Sequence, residues 1–392
     1  MIKRITLLNQ AALLLAASIA VTLFTPSVAI PNRREGLPKE ERLIVHEWGT
    51  FTTVSGADGT AYYWNPLIGP SELPGFVYGA PNTRQVFCSK CDLTLARMET
   101  PVLYFYTGRE MEVSVNVEFP AGKITEWYPQ ARSTGPGINW GSITVLPGVQ
   151  VDLPQDRRKS HYYPARETDA APIRVDYETK NEHEKFLFYR GIGNFIPPLQ
   201  VKLAGNQLIL RNYGADVIAR VIIFENRDGH MGWEILDKFK GKATLNRPAL
   251  GGSVDSLNCE LEEILAAQGL FEKEARAMVK TWQDSWFEEG LRVFFIVPRR
   301  AIDAILPITI KPIPDELSRV FVGRSEIITP EIEREIQDAA QQFCEGPVEK
   351  RAAAINTVRR YGRFAEPILR EIMTRENNPS IRTLVTAALR AN

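Results

Sequence analysis

Cysteine and histidine are scarce in this chain, and their scarcity narrows its chemistry. Four of each are spread over 392 residues. Cys88-Ser89-Lys90-Cys91 has no second C-x-x-C and no H-x₃₋₅-H to join it, so no zinc site can be assembled from close-spaced motifs. Asp92 stands where covalent haem attachment would require histidine. No G-x-S-x-G occurs, which removes the strained elbow that exposes a serine nucleophile. No Walker-type phosphate loop occurs either. Arg190-Gly191-Ile192-Gly193 is followed by Pro197-Pro198, which bar the helix that a dinucleotide fingerprint requires. Charge of one sign is also missing. Lys and Arg total 47, and Asp and Glu total 47, so the basic footprint of a nucleic-acid binder is absent. Beyond residue 30 no apolar run reaches the ~20 residues of a spanning helix.

What is present begins with the N-terminus. Lys3 and Arg4 precede an apolar run from Ala11 to Phe24, Pro26 breaks it, and Ser27-Val28-Ala29 supplies small residues. That order predicts a secretory signal peptide over 1–29, cut near Ala29/Ile30, and a periplasmic or secreted protein with no transmembrane span after cleavage. Ile30 is not cysteine, so lipoprotein acylation has no thiol. Export permits disulfides. The expected pairing is a local Cys88–Cys91 bridge with Cys259–Cys344 as a second. A redox pair or half a metal site are the alternatives for Cys88 and Cys91.

Periodicity divides the rest into a β-rich body over 30–328 and a helical tail over 329–392. The clearest strand is Met111 to Phe119, where Met111, Val113, Val115, Val117 and Phe119 alternate with polar residues. Lys123 to Tyr128 is expected to return as its hairpin partner. Continuous apolar runs such as Leu43–Thr53, Val102–Tyr106, Val217–Phe224 and Arg292–Val297 read as strands covered on both faces. The expected fold is mainly β with added helices: a sandwich-like body, two helices inserted over 256–287, and a C-terminal helical-hairpin tail. In the second inserted helix Ala275, Met278, Val279, Trp282 and Trp286 share one face. The tail opens at Thr329-Pro330-Glu331, with a capping hydroxyl, a proline for the first helical position, and an acid at the positive end of the dipole. Three further helices follow. Val348 and Ile381 are equivalent positions in an array that resembles HEAT repeats. Too short to bury its own core, the array is expected to dock on the body.

The stretch 55–97 is rich in Gly and Pro and carries Tyr62, Tyr63, Trp64, Phe76 and Tyr78. It reads as an ordered aromatic flap. Glu47-Trp48 and Glu126-Trp127 each lie on a strand. If both carboxylates met in one cleft they would supply the acid and base of glycosidic cleavage, with His46 in support. Trp48, Tyr62, Tyr63, Trp64, Trp127 and Tyr128 would stack on sugar rings. The competing reading places both acids in packed ion pairs.

The segments His46–Phe51 (HEWGTF), Met98–Tyr106 (METPVLYFY), Thr125–Arg132 (TEWYPQAR) and Lys280–Val293 (KTWQDSWFEEGLRV) resemble those of a family of exported bacterial proteins of unknown function. The resemblance spans most of the mature chain and implies no activity and no catalytic residue. The expected function is therefore an exported binding or interaction protein, with no cofactor, whose ligand is a glycan or protein of the cell envelope. A secreted glycan hydrolase or a metal-dependent enzyme are the alternatives.

Overall fold

The computed structural model describes residues 42–67, 73–79, 93–157, 159–376 and 379–389. The expected leader and cleavage site, and Cys88 and Cys91 with their expected bridge, lie outside these residues. In chain order the elements begin with β1 (Ile44–Gly56), β2 (Tyr78–Gly79), β3 (Ala96–Tyr106), β4 (Met111–Glu118), β5 (Gly122–Tyr128), β6 (Ser133–Gly135) and β7 (Gly137–Val145). There follow β8 (Ile173–Tyr177), β9 (Lys180–Glu184), β10 (Leu187–Gly193), β11 (Leu199–Ala204), β12 (Gln207–Asn212), β13 (Ile218–Arg227), β14 (His230–Phe239) and β15 (Lys242–Asn246). The helices α1 (Val254–Ala267) and α2 (Glu272–Trp286) come next, then β16 (Gly290–Ile296), α3 (Arg299–Ile305), β17 (Ile308–Lys311) and β18 (Glu316–Ile328). The tail holds α4 (Pro330–Glu345), α5 (Arg351–Tyr361), α6 (Glu366–Glu376) and α7 (Ser380–Leu389). The fold is mainly β with added helices.

A nine-stranded sheet, ordered β14-β13-β16-β18-β1-β3-β10-β5-β2, organises the protein. Its centre is the parallel pairing of β1 with β18, in register from Ile44↔Glu316 to Gly56↔Ile328. Alternate residues along each strand face opposite ways. Phe51, Leu103, Phe105, Val293, Phe295 and Phe321 join a core shared with the smaller sheets. Trp48, Val102, Tyr104, Phe294, Val320 and Val322 join a second core with α1 and α2. Both faces are therefore dry, which is why these strands read as unbroken apolar runs.

The smaller sheets are β17-β4-β7-β8-β9, with β6 against β7, and β11-β12-β15. β4 keeps the expected alternation, with Val113, Val115 and Val117 buried. The expected β4–β5 hairpin does not form. β4 pairs with β7 and β17, whereas β5 pairs with β10 in the large sheet. Between them the chain changes sheets at a tight corner. A Cβ on Gly122 would lie 2.5 Å from the Ile192 carbonyl oxygen, so only glycine fits that approach.

α2 buries the expected stripe, Ala275, Met278, Val279, Trp282 and Trp286. Its start is fixed by Glu274, which accepts a hydrogen bond from the Phe271 amide at 2.8 Å. In the tail the Thr329 hydroxyl accepts from the Ile332 amide at 3.3 Å, with Pro330 first in α4. The tail helices form a third core that takes in Val54, Trp64 and Ile328 from the body. Glu366 adds a polar tie, accepting from the Asn65 amide at 3.1 Å. The expected Cys259–Cys344 bridge is not made. Cys259 is a free, exposed thiol on α1, whereas Cys344 is half-buried on α4. The two helices pack into different cores, α1 into the second and α4 into the third. Among the described residues no helix is long and apolar enough to cross a membrane.

Candidate functional site

β1 carries His46, Glu47 and Trp48 at the centre of the large sheet, and alternation sends them to alternating faces. Glu47 points into the sandwich core. Tyr189 donates its hydroxyl to one carboxylate oxygen, and the Arg319 Nε donates to the other. Arg319 is held in turn by Asp303 and the Leu306 carbonyl, both at 2.8 Å. Burial pushes the Tyr189 phenol up, and the Glu47 charge adds to that, so it remains a donor. Glu47 is thus the acceptor of a closed pair, not an exposed acid.

His46 points the other way, toward α2. Its Nδ1 lies 2.7 Å from Glu274 Oε2, with both side chains fully buried. Tyr106 donates its hydroxyl to the second Glu274 oxygen at 2.7 Å. The His46 Nε2 is 3.7 Å from Glu316 Oε1, and the Phe271 ring covers the imidazole at 4.5 Å between centroids. A carboxylate on Nδ1 is the arrangement that sets a histidine's orientation.

Glu126 does not meet Glu47. It opposes Arg190 on β10, whose guanidinium lies 5.9 Å from the Trp282 ring on α2. Glu47 instead takes the hydroxyl of Tyr189, the preceding residue. Consecutive residues of β10 therefore sort the two carboxylates to opposite faces of one sheet, and no glycosidic acid–base pair results. The expected aromatic platform is also dispersed. Trp48 and Trp64 are fully buried in separate cores, and Tyr128 is buried beneath Phe76 and Tyr78. Trp127 is half-buried and stacked on Tyr78. Tyr62 packs against the tail core, and Tyr63 alone of the six is well exposed. Among the described residues no group of three or more His, Cys, Asp or Glu side chains is placed to hold a metal ion.

A buried ionic band crosses the helix-facing side between the second and third cores. Glu99 on β3 pairs with Arg363 of the tail at 2.7 Å. Burial alone would raise its pKa, but Arg363, Arg97, Arg324 and Arg190 together override that and hold it down to about 2. Glu326 lies between Arg324 at 2.5 Å and Arg292 at 2.9 Å. Arg324 also stacks over Phe364, 4.8 Å from its centroid. These contacts fasten the tail to the body.

A cavity of 390 Å³ opens where β3 ends. Tyr106 and Thr107 form one wall, residues 147–151 with Leu153 another, and Thr168–Pro172 with Lys185 the remainder. Lys185 is half-buried at the crossing from β9 to β10, where the chain passes from one sheet to the other. Its Nζ donates to the Thr168 carbonyl at 2.8 Å. Burial lowers its pKa, and nearby Lys273 adds to this against the opposing pull of Asp169. Asp169 is bound to Lys273 at 2.6 Å. Tyr106 links this cavity to Glu274 and so to His46. Sequence patterning did not single out Lys185, Tyr106 or Glu274. The only signal was a lysine set between Glu184 and the apolar run from Phe186.

No protein-family model matches this chain, and no curated protein matches it. Among solved structures, the Fcho1 Mu homology domain from Danio rerio with bound Eps15 peptide aligns over 74% of this chain and 100% of that chain. The identity is 8% and the TM-score 0.29. The yeast delta-COP-I mu-homology domain complexed with a Dsl1 WxWxV peptide covers 75% of this chain and 100% of that one, with 9% identity and a TM-score of 0.30. At these scores neither likeness bears on what this chain binds.

Proposed function

We propose that this is an exported binding protein, cleaved near Ala29/Ile30, that takes a ligand of the cell envelope in the cavity bounded by Tyr106, Val149 and Lys185. The observation that carries the reading is the cavity itself. Its volume of 390 Å³ falls within the ~300–1,000 Å³ common for ligand sites, and its lining is mixed apolar and polar with one half-buried ammonium. The groups that catalysis would need are engaged elsewhere: Glu47 with Arg319, and His46 with Glu274. The hydrolase reading loses support because Glu47 and Glu126 project from opposite faces.

The test is a binding screen of the mature chain against glycans, peptidoglycan fragments and small envelope metabolites, with product analysis. It is run beside Val149→Trp, which plugs the cavity from its lining. The expected result is a ligand bound without turnover and lost in the variant. Turnover, or binding indifferent to the plug, would refute the reading.

A further inference from the structure

Lys185 lines the cavity and is half-buried there. An ammonium carries three donors, and the Thr168 carbonyl takes one. Among the described residues no carboxylate lies within ion-pair distance of its Nζ. Glu184, its neighbour in the chain, turns the other way and grips Arg166 at 2.6 Å. Asp169 is occupied by Lys273 at 2.6 Å. The Tyr106 hydroxyl is committed to Glu274, so its ring contributes a wall and not a free donor. Pro147, Val149, Val151 and Leu153 supply the apolar part of the lining.

We infer that the cavity takes a small organic monocarboxylate, its head on Lys185 and its hydrocarbon body against Val149, Val151 and Leu153. The inference rests on the binding reading above. One ammonium with no arginine in the lining suits a single negative charge. Asp169, also in the lining, is already neutralised by Lys273, so Lys185 is left as the one cation of the lining for an anionic head. A volume of 390 Å³ accommodates on the order of a dozen non-hydrogen atoms, judged from ~30 Å³ per water molecule. The lowered pKa of Lys185 agrees with this geometry, because an anion restores the stability of its charged form. Binding should therefore draw a proton into the protein in the alkaline range.

The experiment is calorimetric titration of the mature chain with hexanoate and benzoate, and with hexanamide and benzamide as uncharged matches. Lys185→Gln, Lys185→Arg and Val149→Trp are titrated in parallel, each with its thermal midpoint recorded. The carboxylates should bind the parent chain at least tenfold more tightly than the amides. Lys185→Gln should remove that preference, Lys185→Arg should retain it, and Val149→Trp should abolish binding. Amides binding as tightly as acids, or acids binding Lys185→Gln unchanged, would overturn the inference. If Val149→Trp still blocked them, the binding reading would stand. Failure of every acid to bind the folded parent chain overturns the inference as well, and the envelope screen then decides separately whether the cavity is a site.

Discussion

Replacing Glu99 by Gln removes one charge from the middle of four guanidiniums while keeping the side chain's shape. The Glu99 carboxyl is held at about 2 in the folded protein, against a usual value of 4.5. That gap corresponds to about 3 kcal/mol of folding stability at neutral pH. The ~3–5 kcal/mol expected for breaking a buried ion pair is of the same size. The sign follows from the depressed pKa. The contribution is complete above pH 4.5 and is lost as pH falls toward 2, so about 2 kcal/mol of it is gone by pH 3. Urea denaturation of the parent and Glu99→Gln at pH 7, 5 and 3 measures this directly. Tryptophan fluorescence suits the assay, since Trp64 lies in the tail core and Arg363 above its ring. The stability gap should be about 3 kcal/mol at pH 7 and nearly the same at pH 5, then shrink to about 1 kcal/mol at pH 3. A gap of equal size at pH 7 and pH 3, or no gap at pH 7, would refute the assignment of this free energy to the Glu99 charge.

Arg319→Met should destabilise the protein by about 3–5 kcal/mol, because it leaves Glu47 buried without its cation, and Glu47→Leu in the same chain should recover most of that loss. Equal denaturation midpoints for the single and double variants would show that the pair is not coupled. Gly49→Ala should cost about 1–3 kcal/mol in thermal or urea melts, since a Cβ there would sit 2.7 Å from the Phe321 ring; an unchanged midpoint would mean the ring moves aside freely. Cys259 should react with maleimide in the native, unreduced protein, a labelling that Cys259→Ser abolishes, and a site that labels only after reduction would contradict the free thiol on α1.

Much of the fold is written in local pattern. β4 announces itself because one face is buried and the other is wet along its length. α2 and α4 are equally plain, the first from its apolar stripe and the second from Thr329-Pro330-Glu331. The large sheet was legible only as a set of apolar runs. With both faces covered the strands lose their period, and nothing local tells β1 that its neighbour is β18. The same blindness produced the β4–β5 hairpin expectation, because a short turn between two strands does not reveal a change of sheet at Gly122. His46 and Glu47 stood out in the sequence as adjacent titratable residues on one strand, and both prove to be buried in ion pairs. Their partners Glu274, Arg319 and Tyr189 did not stand out, since each is supplied by a distant segment. For Lys185 the sequence offered only its place between Glu184 and the apolar run from Phe186; its character comes from burial at a crossing between sheets.

The seam between β1 and β18 has a consequence for how the molecule comes into being. The Glu47–Arg319 contact across it joins residues 272 positions apart. Strands so remote cannot zip until nearly the whole body has been synthesised, and the loop closure they require slows assembly. Until β18 is made, β1 has β3 beside it and β16 has β13, but nothing joins these two halves of the large sheet. β18, the last strand of the body, is the piece that closes the large sheet between β16 and β1.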